Sequence, residues 1–257
     1  MAQNNAGGTA PAAADRPRGA GTLAPLTNVA ALLEAVEDTL GRSGGLPGLV
    51  CMYGRPGLGK SSAAAYVTAK HRAVYIEMKS VWSTKFTLGQ ILEVMGIPAD
   101  RSVSEMLNQV CEELSKSRRP LIIDQADYLV DKGRGQLIMD LYEGSLAPVV
   151  VIGEERLPAN LKRHNRTVHD RVLRWCPAQP ASADDVQTLA LAYCRGLTIA
   201  PELLATIRAE SEGVTRWIAV TLHRIAREAR VHGWKTVDGA TWDRRDLRTG
   251  ELAGAGG

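Results

Sequence analysis

The 257-residue sequence has no apolar run of 18 residues, and its first residues are not a basic segment followed by an apolar stretch. A helical membrane span and a secretory leader are therefore not expected, and the reading is a soluble protein of the cytosol with no membrane partner. Four cysteines, Cys51, Cys111, Cys176 and Cys194, lie far apart without a CxxC spacing. That spacing argues against a zinc site or a disulfide framework and for buried, reduced thiols. Charge of one sign is also scarce: the formal net charge is +3 and the isoelectric point about 8.7. Such a balance is compatible with nucleic acid but does not argue for it, so local distribution must decide. Internal repeats are absent, and residues 1–23 hold almost no large apolar side chain. These residues are expected to be a disordered tail, and 237–257 a flexible one, because neither can bury enough surface to offset ordering.

The whole sequence is 45% hydrophobic and 23% charged, an ordinary globular composition. NVAALLEAVEDTL, KSSAAAYVTAKH, LGQILEVMG, VSEMLNQVCEELSK and GQLIMDLYEG carry apolar residues at helical spacing, whereas LPGLVCMYG, AVYIEM, RPLIID, PVVVIG and RVLRWC are short apolar runs. Strands without polar alternation that take turns with helices predict an α/β fold, a parallel sheet covered on both faces. From Ser182 the pattern is helical only, so residues 24–178 are expected to form the α/β core and 179–236 a small all-helical domain.

GRPGLGKS, residues 54–61, follows a predicted strand and opens a helix, the context in which GxxxxGK[ST] becomes a phosphate-binding loop. Gly54, Gly57 and Gly59 let backbone N–H groups turn inward, and Pro56 stiffens the turn. The helix start adds partial positive charge. Arg55, Leu58 and Ser62 complete the expected cradle. Lys60 is assigned to the outer phosphates of ATP and Ser61 to Mg²⁺. Asp124 ends the apolar strand RPLIID, where ligands of open α/β sheets collect, and is assigned to the same metal. Gln125 stands where an ATPase usually has glutamate; an amide can orient water but cannot take its proton, so hydrolysis is expected to be slow. Asp127 and Glu154 are the alternative bases.

GRPGLGKS, LIIDQAD, VVVIGEERL, HDRVLRWCPAQP and EGVTRWIAVTLHRIAREA, in that order, resemble the AAA+ ATPases. They are most similar to the bacteriophage Mu B-type transposition proteins and their TniB and Tn7-like relatives. The likeness covers about residues 24–235. It implies a P-loop core with a five-stranded parallel sheet, a helical lid, and Mg-ATP-dependent assembly into homo-oligomeric filaments or rings on double-stranded DNA. It also implies target selection and activation for a transposase in a bacterial host's cytoplasm. By motif position it assigns an arginine finger to Arg171 and a lid arginine to Arg216. Mu B-type proteins carry an N-terminal helix-turn-helix domain, which the low-complexity residues here do not supply, so DNA contact is expected from the ATPase domain. Lys79, Trp82 and Lys85 in EMKSVWSTKFT are the leading contacts, in a segment read as neither helix nor strand; Arg101, Lys132 and Arg134 follow. The alternatives are a helicase loader or replication initiator of the same superfamily and, from another class, a small P-loop kinase.

Overall fold

A computed structural model describes residues 26–242; the expected tail at 1–23 and the end of the chain beyond 242 lie outside them. The strands are β1 (Leu49–Tyr53), β2 (Val74–Glu77), β3 (Leu121–Asp124), β4 (Val149–Gly153) and β5 (Val172–Pro177). All pair in parallel, in the order β2-β3-β4-β1-β5. Neighbouring side chains along each strand enter different cores. Val50 and Met52 join one hydrophobic cluster and Leu49 and Cys51 the other. Both faces are covered, which is why the strands read as unbroken apolar runs.

On one face lie α1 (Thr27–Leu40) and α2 (Lys60–His71); on the other lie α3 (Thr84–Met95), α4 (Val103–Ser117), the short α5 (Asp127–Val130), α6 (Gln136–Ser145), α7 (Leu157–His164) and α8 (Arg166–Asp170). The segment 84–87, expected to be irregular, belongs to α3. Ser83 stands at the helix N-cap and its hydroxyl accepts the Phe86 N–H, satisfying a donor the helix cannot pair itself.

After β5 come α9 (Ala183–Tyr193), α10 (Pro201–Glu210) and α11 (Thr215–His232). This part is not wholly helical: β6 (Thr198–Ile199) and β7 (Thr236–Val237) form a two-residue parallel pair. Periodicity over two residues gives no signal, so only the packing reveals them. Val237 and Trp242, in the stretch expected to be a tail, are buried in the first cluster. α9 opens with a capping box between Ser182 and Asp185, and the Asp185 carboxylate also accepts the Thr27 N–H at 2.8 Å. The helical part is thereby tied to the start of α1. All four cysteines are buried free thiols. Burial raises their pKa, to about 11 at Cys176 and at Cys194.

Candidate nucleotide-binding site

At the carboxyl ends of the strands lies a cavity of about 880 Å³. β1 runs into the loop 54–59, where Gly57 (φ 85°) and Gly59 (φ 86°) occupy the left-handed region that side chains disfavour. A β-carbon on Gly57 would also stand 2.8 Å from Val214 Cγ1. The loop is stapled from behind by Asn28, whose amide donates to the carbonyls of Leu58 and Gln179, each at 2.8 Å. From the helical part, the Arg216 N–H at the start of α11 donates to the Gly57 carbonyl at 3.0 Å. The amino ends of α2 and α11 therefore meet at one loop, where an anion is favoured.

Pro56, Gly57, Gly59, Lys60, Ser61 and Ser62 all line the cavity. Of the expected cradle, Arg55 departs: its guanidinium pairs with Glu212 at 3.1 Å. Leu58 is buried, and Gly54, Arg55 and Leu58 are not among the residues that line the cavity. Lys60 Nζ donates to the carbonyls of Gly54 and Arg55, at 2.6 and 2.9 Å. Burial holds this ammonium below its ordinary range, and Asp124, Asp127, Glu154 and Glu155 partly oppose that shift. A partly desolvated cation held only by carbonyls is a strong partner for phosphate oxygens.

Asp124 is 3% exposed. Its Oδ2 accepts from the hydroxyls of Ser61 (2.7 Å) and Tyr75 (3.0 Å), and its Oδ1 from the Gln125 N–H (2.8 Å). Ser61 and Asp124 thus converge on one point, and a hard divalent cation that keeps most of its waters needs one or two such oxygens. The donor set fits Mg²⁺. Tyr75 escaped the sequence reading, although the register aligning β2 with β3 would have located it.

Gln125 lines the cavity, with its backbone in the left-handed region (φ 54°). Such a conformation in a non-glycine residue costs on the order of 1–3 kcal/mol and persists only where the surroundings impose it. Its side-chain Nε2 donates to Glu77 at 2.8 Å. Asp127, an alternative base, is instead occupied: its Oδ2 accepts the Glu154 N–H at 2.9 Å, and burial raises its pKa. Glu154 is exposed at the cavity wall. Arg216 also lines the cavity, whereas Arg171 does not. Arg171 precedes β5, at the opposite end of the sheet, with its guanidinium 3.8 Å from Glu143. Arg156 lines the cavity too, and Asn160, Tyr193, His223 and Arg224 line it without having been singled out from sequence.

The six expected DNA contacts fall into two groups. Lys79 follows β2 and pairs with Glu77 at 2.7 Å. Lys132 donates to the Ser80 carbonyl and Arg134 to that of Trp82, so these three cations surround one loop. Trp82 is half-buried against the sheet and packs on Phe86, ring centres 5.1 Å apart. Lys85 and Arg101 form the other group, with Lys85 Nζ donating to the Arg101 carbonyl at 2.6 Å.

Residues 42–161 match the family described as AAA domain. The chain is 28% identical over 211 residues to the replication factor C large subunit of Methanothrix thermoacetophila, spanning 79% of this chain but 41% of that protein. Its fold is similar to that of the Aeropyrum pernix ORC2 protein in ADPNP-ADP complexes (TM-score 0.65, 14% identity, 85% of this chain and 66% of that one). It is also similar to that of Aeropyrum pernix ORC1 in complex with DNA (TM-score 0.61, 16% identity, 90% of this chain and 66% of that one). The five-stranded parallel sheet flanked by helices is an α/β fold that matches AAA+ P-loop ATPase neighbours, with the similarity to the AAA domain family confined to residues 42–161.

Proposed function

We propose that the protein is a nucleotide-switched, DNA-binding AAA+ ATPase that binds Mg-ATP, assembles with copies of itself on DNA and hydrolyses ATP slowly. The observation that carries the reading is the convergence of Lys60, Ser61, Asp124 and the start of α11 on one cavity. Lys60 and the loop N–H groups would hold the phosphates, and Ser61 and Asp124 the Mg²⁺. Leu26, Leu189, Tyr193 and Val220 supply an apolar wall for a nucleobase. Bound Mg-ATP supplies the phosphoryl group that water attacks to give ADP and phosphate. Gln125 would orient that water. Arg216 joins the helical part to the phosphates, so the lid position reports the nucleotide. Arg171 does not line its own cavity and its guanidinium lies 3.8 Å from Glu143; on this reading it would serve the nucleotide of a neighbouring subunit.

Two finer roles share this site. The likeness to replication factor C and to the ORC folds favours a replication initiator or helicase loader. The motif order shared with the Mu B-type proteins favours target selection for a transposase. Electron microscopy of the protein with ATP on duplex and on single-stranded DNA separates them: continuous filaments on duplex support the transposition role, and small closed rings on single strands the loader. In either assembly Arg171→Ala should leave nucleotide affinity intact and prevent oligomerisation. Normal assembly by that variant would refute the finger assignment.

A further inference from the structure

We propose that Asn28 is a positioning residue for phosphate binding, which fixes the Leu58–Gly59 peptide from behind so that the Gly59 N–H faces the nucleotide; the proposal rests on the function proposed above. In a trans peptide the carbonyl of one residue and the N–H of the next point in opposite directions. Asn28 Nδ2 donates to the Leu58 carbonyl at 2.8 Å. Asn28 is 6% exposed and does not line the cavity, whereas Gly59 does. Pinning the carbonyl on the Asn28 side therefore turns the Gly59 N–H to the other, beside Lys60 and Ser61, where the phosphates would lie. Gly59 has φ 86°, and a glycine there leaves the flipped peptide open as an alternative. The flipped form would present a carbonyl oxygen, not an N–H, to the phosphates.

Other carbonyls of the loop are held differently. Those of Gly54 and Arg55 accept from Lys60 Nζ, that of Gly57 from the Arg216 N–H and that of Gly59 from the Ala63 N–H. Among these carbonyls, that of Leu58 alone depends on a side chain from outside residues 54–61. The Asn28 amide is itself held in place. Its Nδ2 also donates to the Gln179 carbonyl and its Oδ1 accepts the Gln179 N–H, both at 2.8 Å. Because Gln179 offers one acceptor and one donor, these bonds identify which end of the Asn28 amide carries the hydrogens. Turning the amide oxygen toward Leu58 would set like groups together at every contact. A fully paired buried amide can serve stability alone. The role in binding follows from its partner, a carbonyl of the phosphate loop whose reverse side is the cavity.

The test uses the full chain and the variants Asn28→Ala and Asn28→Asp. Alanine releases the peptide to either orientation. The carboxylate still accepts the Gln179 N–H but repels the Leu58 carbonyl, and in the flipped form it accepts the Gly59 N–H instead. If phosphate binds only molecules whose N–H faces inward, apparent affinity falls in proportion to their share. Affinity for ADP and for a fluorescent ATP analogue should fall about two- to threefold in Asn28→Ala and on the order of thirtyfold in Asn28→Asp. Unfolding in denaturant without nucleotide measures the structural cost separately. Labelling leucine carbonyls with ¹³C and glycine nitrogens with ¹⁵N confines the NMR spectrum to the three Leu–Gly peptides, at 40–41, 58–59 and 88–89. The 58–59 signal of the natural protein should move downfield when ADP binds, as the N–H donates to a charged oxygen. In Asn28→Asp it should stand downfield already without nucleotide. Equal affinities of the natural protein and Asn28→Asp, or a larger loss in Asn28→Ala than in Asn28→Asp, would overturn the proposal. So would a 58–59 signal that ADP leaves unmoved in the natural protein, a result that needs neither variant to fold. If the natural protein binds nucleotide and one of these results is found, the role of Asn28 alone fails; if it binds neither ADP nor the analogue, the underlying function fails as well.

Discussion

The phosphate loop and the ends of β2 and β3 face the same cavity but are held by different means. Residues 54–61 keep their shape through backbone geometry, with left-handed glycines, an adjoining helix start and carbonyls that satisfy Lys60. At the strand ends beside them the shape depends on side chains. Ser61 and Tyr75 hold Asp124, Glu77 holds Gln125 and Lys79 holds Glu77. A backbone cradle is insensitive to what binds nearby, because its dipoles are fixed. A chain of charged side chains responds to each new charge at its end. On the function proposed above, the first region would give a constant grip on a triphosphate, and the second would respond to charge bound nearby.

Substitutions can test that contrast, beginning with the largest effect. Lys60→Ala removes the one side chain the cradle needs and should reduce nucleotide affinity at least ~100-fold, a change equal to about 3 kcal/mol or two charged hydrogen bonds. DNA affinity in ATP should fall with it; titrations of a fluorescent nucleotide and of labelled duplex provide the check. Retained ATP-independent DNA binding would separate the two regions altogether.

The next effect lies at the strand ends. Exchanging the pair, Gln125→Glu together with Glu77→Gln, puts a carboxylate beside the water site and an amide behind it, and should speed phosphate release by up to about 10². Gln125→Glu alone should gain less, since its carboxylate would meet that of Glu77 within hydrogen-bond distance and like charges there oppose each other. Equal rates for the single and exchanged variants would show that Glu77 does not control position 125.

Smaller is the effect of the contact that ties the helical part to the start of α1. Burial raises the pKa of Asp185, but N–H donors from Ser182 and Thr27 outweigh it, leaving the carboxyl below its ordinary value. A depressed folded-state pKa contributes stability that is present above the unfolded value, near 4, and lost as pH falls through the folded one. Asp185→Asn should therefore cost about 1–3 kcal/mol at neutral pH, and less below pH 4, in denaturant unfolding. A cost that does not change with pH would mean that the carboxyl titrates alike in the folded and unfolded states and that its charge is not what holds the two donors. The smallest change separates the two groups of cations. Lys79→Ala should lower the log salt slope for DNA by about one, and Lys85→Ala by less, because Lys85 is already bonded to the Arg101 carbonyl. Equal slopes would place both groups on the DNA path.

Features encoded in a few consecutive residues were legible in the sequence. Unbroken apolar runs announced buried parallel strands, the glycine spacing announced a tight turn that opens α2 at Lys60 and Ser61, and the run RPLIID announced a strand ending at Asp124. Each depends on local backbone preference or burial, which neighbouring residues determine together. Tertiary structure decided what lies between strands distant in the chain. The parallel register of β2 with β3 brought Tyr75 and Glu77 beside Asp124 and Gln125, 48 or 49 residues apart in sequence. The packing of α11 on the phosphate loop placed Arg216 at the cavity, while the position of β5 left Arg171 at the other end of the sheet. Side-chain pairings of this kind depend on which strand lies next to which, and no single segment carries that information.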